Sequence, residues 1–205
     1  CFAYLFCKYL LKIKRIANWC SYFLSFVNKV EFFYNSFMKL IVSLKLKPDK
    51  SQRDALLETV IETNKASNWI SKQSFDNNIF RQFHLHRHCY SEARQLFNLS
   101  AQVVIRAIAK TADSYKAQKE KQTVFKPLGS IAYDDRIISF KKSEFVSIWT
   151  TKGRLKIPLV MGTYQRSLFR FRKGEVDLIF RKGDFYLNCT CEVPEVTEFQ
   201  PIDIL

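Results

Sequence analysis

Lys39-Leu-Ile-Val-Ser-Leu-Lys-Leu-Lys47, followed by Pro48-Asp49, decides the fold. Its apolar and polar side chains alternate, which predicts a half-buried β-strand. Pro48-Asp49 breaks the strand and opens a helix, and the period changes at once. Leu56, Leu57, Val60 and Ile61 recur at helical spacing, and Trp69-Ile70 carry the apolar side on to about Lys72. A second helix is expected over His84 to Phe97. A third starts at Ser100, a good N-cap, and runs through Val103, Val104, Ala107, Ile108 and Ala112 to about Lys119. Lys116 to Lys126 is a basic linker that ends at Pro127.

Beyond Pro127 the period returns to two. Ser130–Tyr133, Arg136–Phe140, Phe145–Thr150, Arg154–Val160, Glu175–Phe180 and Asp184–Val193 read as short strands. Thr151-Lys-Gly-Arg154 and Arg181-Lys-Gly-Asp184 read as hairpin turns, with glycine supplying positive φ. Met161–Phe171 is compatible with a short helix or an irregular connection. The class is therefore α+β: a small β-barrel, similar in style to oligonucleotide-binding barrels, with three helices inserted after the first strand.

Lys and Arg total 33 against 19 Asp and Glu. From Met38 to Cys191 there are 28 basic and 14 acidic residues, whereas Glu192 onward has four acids and no base. A basic body of this kind favours a polyanion, because each cation that neutralises a phosphate releases a condensed counterion. The plain alternative is a solvated basic surface. The six cysteines (Cys1, Cys7, Cys20, Cys89, Cys189 and Cys191) include no CxxC pair and no zinc-ribbon spacing. They read as reduced thiols in a cytoplasmic protein. Cys189 and Cys191, two apart on one strand, point the same way.

Residues 1–37 hold twelve aromatic residues and no Gly or Pro. Their longest charge-free run, Ile16 to Asn28, is 13 residues, too short for a spanning helix of about 20. Met38 is the expected natural start, with a membrane-surface helix as the rival reading of the preceding segment.

Several segments, in order, carry a family resemblance: Lys39–Pro48, Asn68-Trp69-Ile70, Leu99-Ser-Ala-Gln102 with Arg106, Phe125-Lys-Pro-Leu-Gly-Ser-Ile-Ala-Tyr-Asp-Asp135, and Tyr186-Leu-Asn-Cys-Thr-Cys-Glu-Val-Pro194. From Met38 onward the chain resembles the N-terminal part of the TnpB/OrfB proteins of insertion-sequence transposons. These are RNA-guided DNA endonucleases, also described as putative transposases, related to type V CRISPR effectors. The resemblance implies a wedge-like barrel at 38–48 and 124–195, a helical recognition domain at 49–123, and the start of a nuclease domain at 196–205. The partners it implies are guide RNA and DNA, with no membrane, and a nuclease domain docked on the barrel. Intact members carry a RuvC-like domain whose first catalytic Asp lies a few residues beyond a segment similar to Ile202-Asp-Ile-Leu205. No catalytic residue and no cofactor are therefore expected in these residues. Mg²⁺ and Zn²⁺ belong to the family's C-terminal part.

Gln102, Arg106 and Lys110 are spaced i, i+4, i+8 on the third helix, so one face carries an amide and two cations. An amide can bond adenine bidentately and cations hold phosphates. By resemblance, Gln102 contributes to reading a short DNA motif with Phe83 nearby, although a Lys common in the family is Asn98 here. A solvated or helix-packing residue is the competing reading for Gln102, and a plain basic face for Arg106 and Lys110. Arg166, Arg170, Arg172, Lys173, Arg181 and Lys182 interleave with Phe169, Phe171 and Phe180 and form the candidate RNA- and phosphate-binding set. The Phe residues are expected to fill the barrel. His84, His86 and His88 beside Cys89 offer the alternative of a metal-binding enzyme, against a solvated or RNA-facing helix. A membrane-surface module is the other alternative. Asp134-Asp135 read as turn residues rather than catalytic carboxylates, and Asp203 precedes the family's catalytic position.

Overall fold

The structure, a computed structural model, describes residues 37–141 and 144–194. The expectations for the N-terminal extension, for Cys1, Cys7 and Cys20, and for Asp203 and the start of a nuclease domain lie outside the described residues, apart from the extension's last residue, Phe37. Met38–Val193 form one compact unit.

The alternating stretch forms β1, Phe37–Leu46, with Val42, Leu44 and Leu46 buried. Asp49 ends the break and caps α1, Lys50–Asp76, through a reciprocal pair of bonds. Its carboxylate accepts from the Gln52 backbone N–H at 2.8 Å, and the Gln52 side chain accepts from the Asp49 N–H at 3.1 Å. The Gln52 amide also donates to the Lys156 carbonyl at 3.1 Å, which ties the start of the helix to the sheet. Two further helices follow, α2 (Gln82–Leu96) and α3 (Ala101–Ala117), the latter capped by the Ser100 hydroxyl.

Strands β2 (Ile131–Tyr133), β3 (Ile138–Lys141), β4 (Phe145–Thr150) and β5 (Gly153–Val160) come next. After α4 (Thr163–Phe169) the chain ends its described part with β6 (Arg172–Arg181) and β7 (Asp184–Pro194). The seven strands form one sheet in the order β2-β6-β7-β1-β5-β4-β3. Its two outermost strands are consecutive in the chain and joined by a short turn. The Tyr133 hydroxyl bonds the Trp149 carbonyl across that junction at 3.0 Å, giving a nearly closed, barrel-like sheet. The fold is thus α+β, with three helices inserted after the first strand. Lys182 (φ 50°) and Gly183 (φ 84°) make the two-residue β6–β7 turn, in which both central residues need positive φ.

One hydrophobic cluster contains residues of both the sheet and the helices, including Leu44, Val146 and Leu187 with Leu56, Leu85 and Ile108. Phe169, Phe171 and Phe180 pack against it, as expected. The buried side of α1 is unusual in also carrying Thr59, Thr63, Asn64, Ser67, Ser71 and Ser74. Thr59, Thr63 and Ser67 donate to the carbonyl four residues back, at 2.6–2.9 Å, and so are satisfied locally.

Asn64, Asn68 and Ser71 instead reach the segment that leads from α3 back to the barrel. Asn68 donates to the Phe125 carbonyl at 2.9 Å and accepts from its N–H at 2.7 Å. Asn64 donates to the Gly129 carbonyl at 2.8 Å, and Ser71 to that of Thr123 at 2.6 Å. A Cβ on Gly129 would lie 3.1 Å from the Lys126 carbonyl and 3.3 Å from the Asn64 side-chain oxygen, so this close approach favours glycine. Replacing Asn68 with Ala strands a backbone donor and acceptor at once. We expect a loss of about 2 kcal/mol in chemical denaturation, against about nil for the exposed Lys72→Ala.

Candidate nucleic-acid interface

The α3 row forms as spaced, and each of its three side chains is engaged within the fold, although the Arg106 Nε is buried without a hydrogen-bond partner. Gln102 donates to the Asp134 carboxylate and accepts from Arg136 at 3.0 Å. Arg106, its side chain 21% exposed, pairs with Glu175 on β6. Lys110 donates to the Ser130 carbonyl at 2.6 Å and to Asn64 at 3.2 Å, and sits 4.8 Å from the Phe125 ring centroid. Burial pushes the Lys110 ammonium below its usual range, with Asp177 pulling the other way. The row therefore joins α3 to the β2–β3 turn, to β6 and to the return segment. Phe83 differs: it is 68% exposed on α2, with Arg87 5.9 Å from its ring centroid.

The six late cations separate into two groups. A strand rises about 3.3 Å per residue, so Arg172 and Arg181, at opposite ends of β6, lie roughly 25–30 Å apart. At one end are Arg166 and Arg170, both exposed, with Arg172 and Lys173. The β6–β7 register shifts between Arg172 and Val176, an irregularity that re-aims the strand start. Arg172 there bonds Asp135 at 3.1 Å, and Lys173 pairs with Glu192 at 2.7 Å. That ion pair holds the Glu192 carboxyl below its usual range. At the other end Arg181 and the turn residue Lys182 are exposed beside Lys45, which bonds Asp184 at 2.6 Å.

Lys141, Arg154 and Lys156, on β3 and β5, form a further basic set that the sequence pattern does not single out. Only strand register shows that they share a face. The spacing Arg154-x-Lys156 within one strand was the available signal.

Asp134 and Asp135 lie at the β2–β3 turn, where the Asp134 carboxylate accepts from the Arg136 N–H at 3.1 Å. His84, His86 and His88 lie on helix α2. His86 stacks on Tyr90 at 4.7 Å, while Cys89 faces the core. Among the described residues no three His, Cys, Asp or Glu side chains form a metal-ligand set, and no helix is long and apolar enough to cross a membrane. No protein-family model matches the chain, and no curated protein matches it.

Two outcomes follow from this geometry. Arg106→Met and Gln102→Ala should each lower unfolding free energy by about 1–2 kcal/mol, because each leaves a partner unbonded at the α3–sheet joint; a denaturation midpoint unchanged in both would contradict it. Cys89 and Cys189 are fully buried, and burial pushes their thiols up to about 11 and about 12. A thiol that ionises more readily unfolded than folded stabilises the native state fully below pH about 9, and this is lost as pH rises toward 12. Alkylation mapped by mass spectrometry at pH 8.5 should spare both residues in the native protein and modify both in denaturant.

Proposed function

We propose that this chain is the nucleic-acid-binding portion of a TnpB-like RNA-guided DNA endonuclease. In this reading it holds guide RNA and target-adjacent DNA and does not itself cut. The observation that carries it is the excess of 14 positive charges on a small barrel with an inserted helical group. The ordered motif resemblance from Lys39 to Pro194 gives the reading its direction. Exposed cations at both ends of β6, with Arg81, Arg87 and Phe83 on or beside α2, offer contacts for phosphates and bases. In such a division of labour, protein contacts follow backbone shape and a short motif, while base pairing reads sequence.

Binding of fluorescent RNA and DNA to the full chain should weaken steeply with salt. We expect a slope of log K against log salt of about −3 or steeper, corresponding to roughly four or five phosphate contacts. Incubation of the same DNA with Mg²⁺ should leave it intact. Affinity that is flat from 50 to 300 mM salt would remove the reading, and Mg²⁺-dependent cleavage would overturn the binding-only role.

A further inference from the structure

Phe145, Ser147 and Trp149 on β4 lie opposite Pro158, Lys156 and Arg154 on β5, and Ser139 and Lys141 on β3 lie opposite Ser147 and Phe145. Directly opposed residues of an antiparallel pair project to the same side. The alternate positions Val146, Ile148 and Ile157 are buried, so this side is the outward one. Two contacts confirm the shared face. Arg154 spans all three strands, reaching the Ser147 and Ser139 hydroxyls at 3.5 Å and the carbonyl of Arg136 at 2.6 Å. The Lys156 ammonium lies 4.2 Å from the centroid of the Phe145 ring.

The charge on this face differs from that at the α3–sheet joint and from that of Arg172 and Lys173 at the start of β6. Lys45, Arg106, Arg172 and Lys173 each have a carboxylate partner. Lys141, Arg154 and Lys156 have none among the described residues, and the outward positions of β3, β4 and β5 contain no Asp or Glu. Cations without internal partners keep their full attraction for an outside anion. The hydroxyls of Ser139 and Ser147 hold the Arg154 guanidinium across the strands.

We propose that this face of β3, β4 and β5 is a platform for a single-stranded polynucleotide, in which Lys141, Arg154 and Lys156 hold phosphates and Phe145 stacks on a base. The proposal rests on the nucleic-acid reading above and adds a site and a strand state to it. A phosphate draws the Lys156 ammonium off the ring it covers, which uncovers that ring for a base. A duplex keeps its bases stacked on one another and offers no free base face to Phe145, so a single strand gains from both groups and a duplex only from the cations.

The test uses the full chain, with 12-nucleotide single-stranded RNA and DNA of one sequence, the DNA duplex, and polyglutamate as an acidic polypeptide. Fluorescence anisotropy across salt gives affinities and slopes. Phe145→Ala should weaken both single strands about 5- to 50-fold with the salt slope kept, whereas Phe145→Tyr retains binding. The paired substitution Arg154→Gln with Lys156→Gln should make the single-strand slope shallower by about 1.4. Both single strands should bind, because the phosphates and the base face that the platform takes are common to RNA and DNA. Thermal melts check folding; should Phe145→Ala not fold, the surface pair of substitutions carries the test. If wild type binds and neither change alters affinity or slope, the platform is wrong and the broader reading survives. Loss on Phe145→Ala that is equal for duplex and single strand, or tighter binding of polyglutamate than of either strand, also overturns it. A wild type that binds no nucleic acid at low salt overturns both.

Discussion

An inserted helical group can sit rigidly on a barrel only if the chain is held where it leaves and where it returns. Here the return is the harder problem. Residues 123–130 form no regular ladder, yet parts of them run against α1, where an unpaired backbone group would cost as much as a lost hydrogen bond. Asn64, Asn68 and Ser71 supply the missing partners from one side of the helix. The Tyr115 hydroxyl adds another, accepting from the Thr123 N–H at 3.2 Å. These bonds account for Asn64 and Ser71 on the buried face of α1, whereas Thr59, Thr63 and Ser67 bond within the helix itself. Asn64, Asn68 and Ser71 act as the ladder that an extended segment would otherwise find in a neighbouring strand.

The departure is fixed more simply. The Asp49–Gln52 cap engages the first turn of α1, and Gln52 also bonds the Lys156 carbonyl, which ties that turn to β5. With both ends fixed, α3 meets β2 and β6 along a polar joint, where Arg106 faces Glu175 and Lys110 feels Asp177. A half-buried ion pair with a net of bonds specifies orientation more than it adds stability, since desolvation offsets much of the attraction. The joint therefore orients α3 against β6 and the β2–β3 turn.

Much of the architecture was legible because it depends on local pattern. Alternation at Lys39–Lys47 and Phe145–Thr150, the Ser100 cap and the Lys182-Gly183 turn all act within a few residues. The α4 helix is hard to read because seven residues without a capping side chain carry little periodic signal; its start is held instead by the Gln165 side chain, which accepts from the Gly162 N–H and donates to the Ser43 carbonyl. Partnership was not legible. The spacing of Gln102, Arg106 and Lys110 is visible in the sequence, but Asp134, Glu175 and Asn64, which engage them, come from distant segments. Arg172 and Arg181 look adjacent in composition, yet an extended strand separates them. The Thr151–Arg154 hairpin sets β4 against β5 locally, but Lys141 joins their face only through the β3–β4 register.

A count of positive charge consequently overstates what any one surface can offer. Each cation paired inside the fold has already exchanged its water for a carboxylate, and a phosphate would have to compete with that partner. Lys173, beside Glu192, and Arg172, beside Asp135, start from this disadvantage. Surface ion pairs of this type contribute only about 0–1 kcal/mol, so they are dissociable, but they still reduce the local potential. Arg154 and Lys156 are held by hydroxyls, a carbonyl and an aromatic ring, none of which cancels their charge. For two surfaces with equal numbers of Lys and Arg, the one whose cations are held by neutral groups attracts an anion more strongly. That distinction, rather than the density of basic residues along the chain, ranks the sheet face above the start of β6.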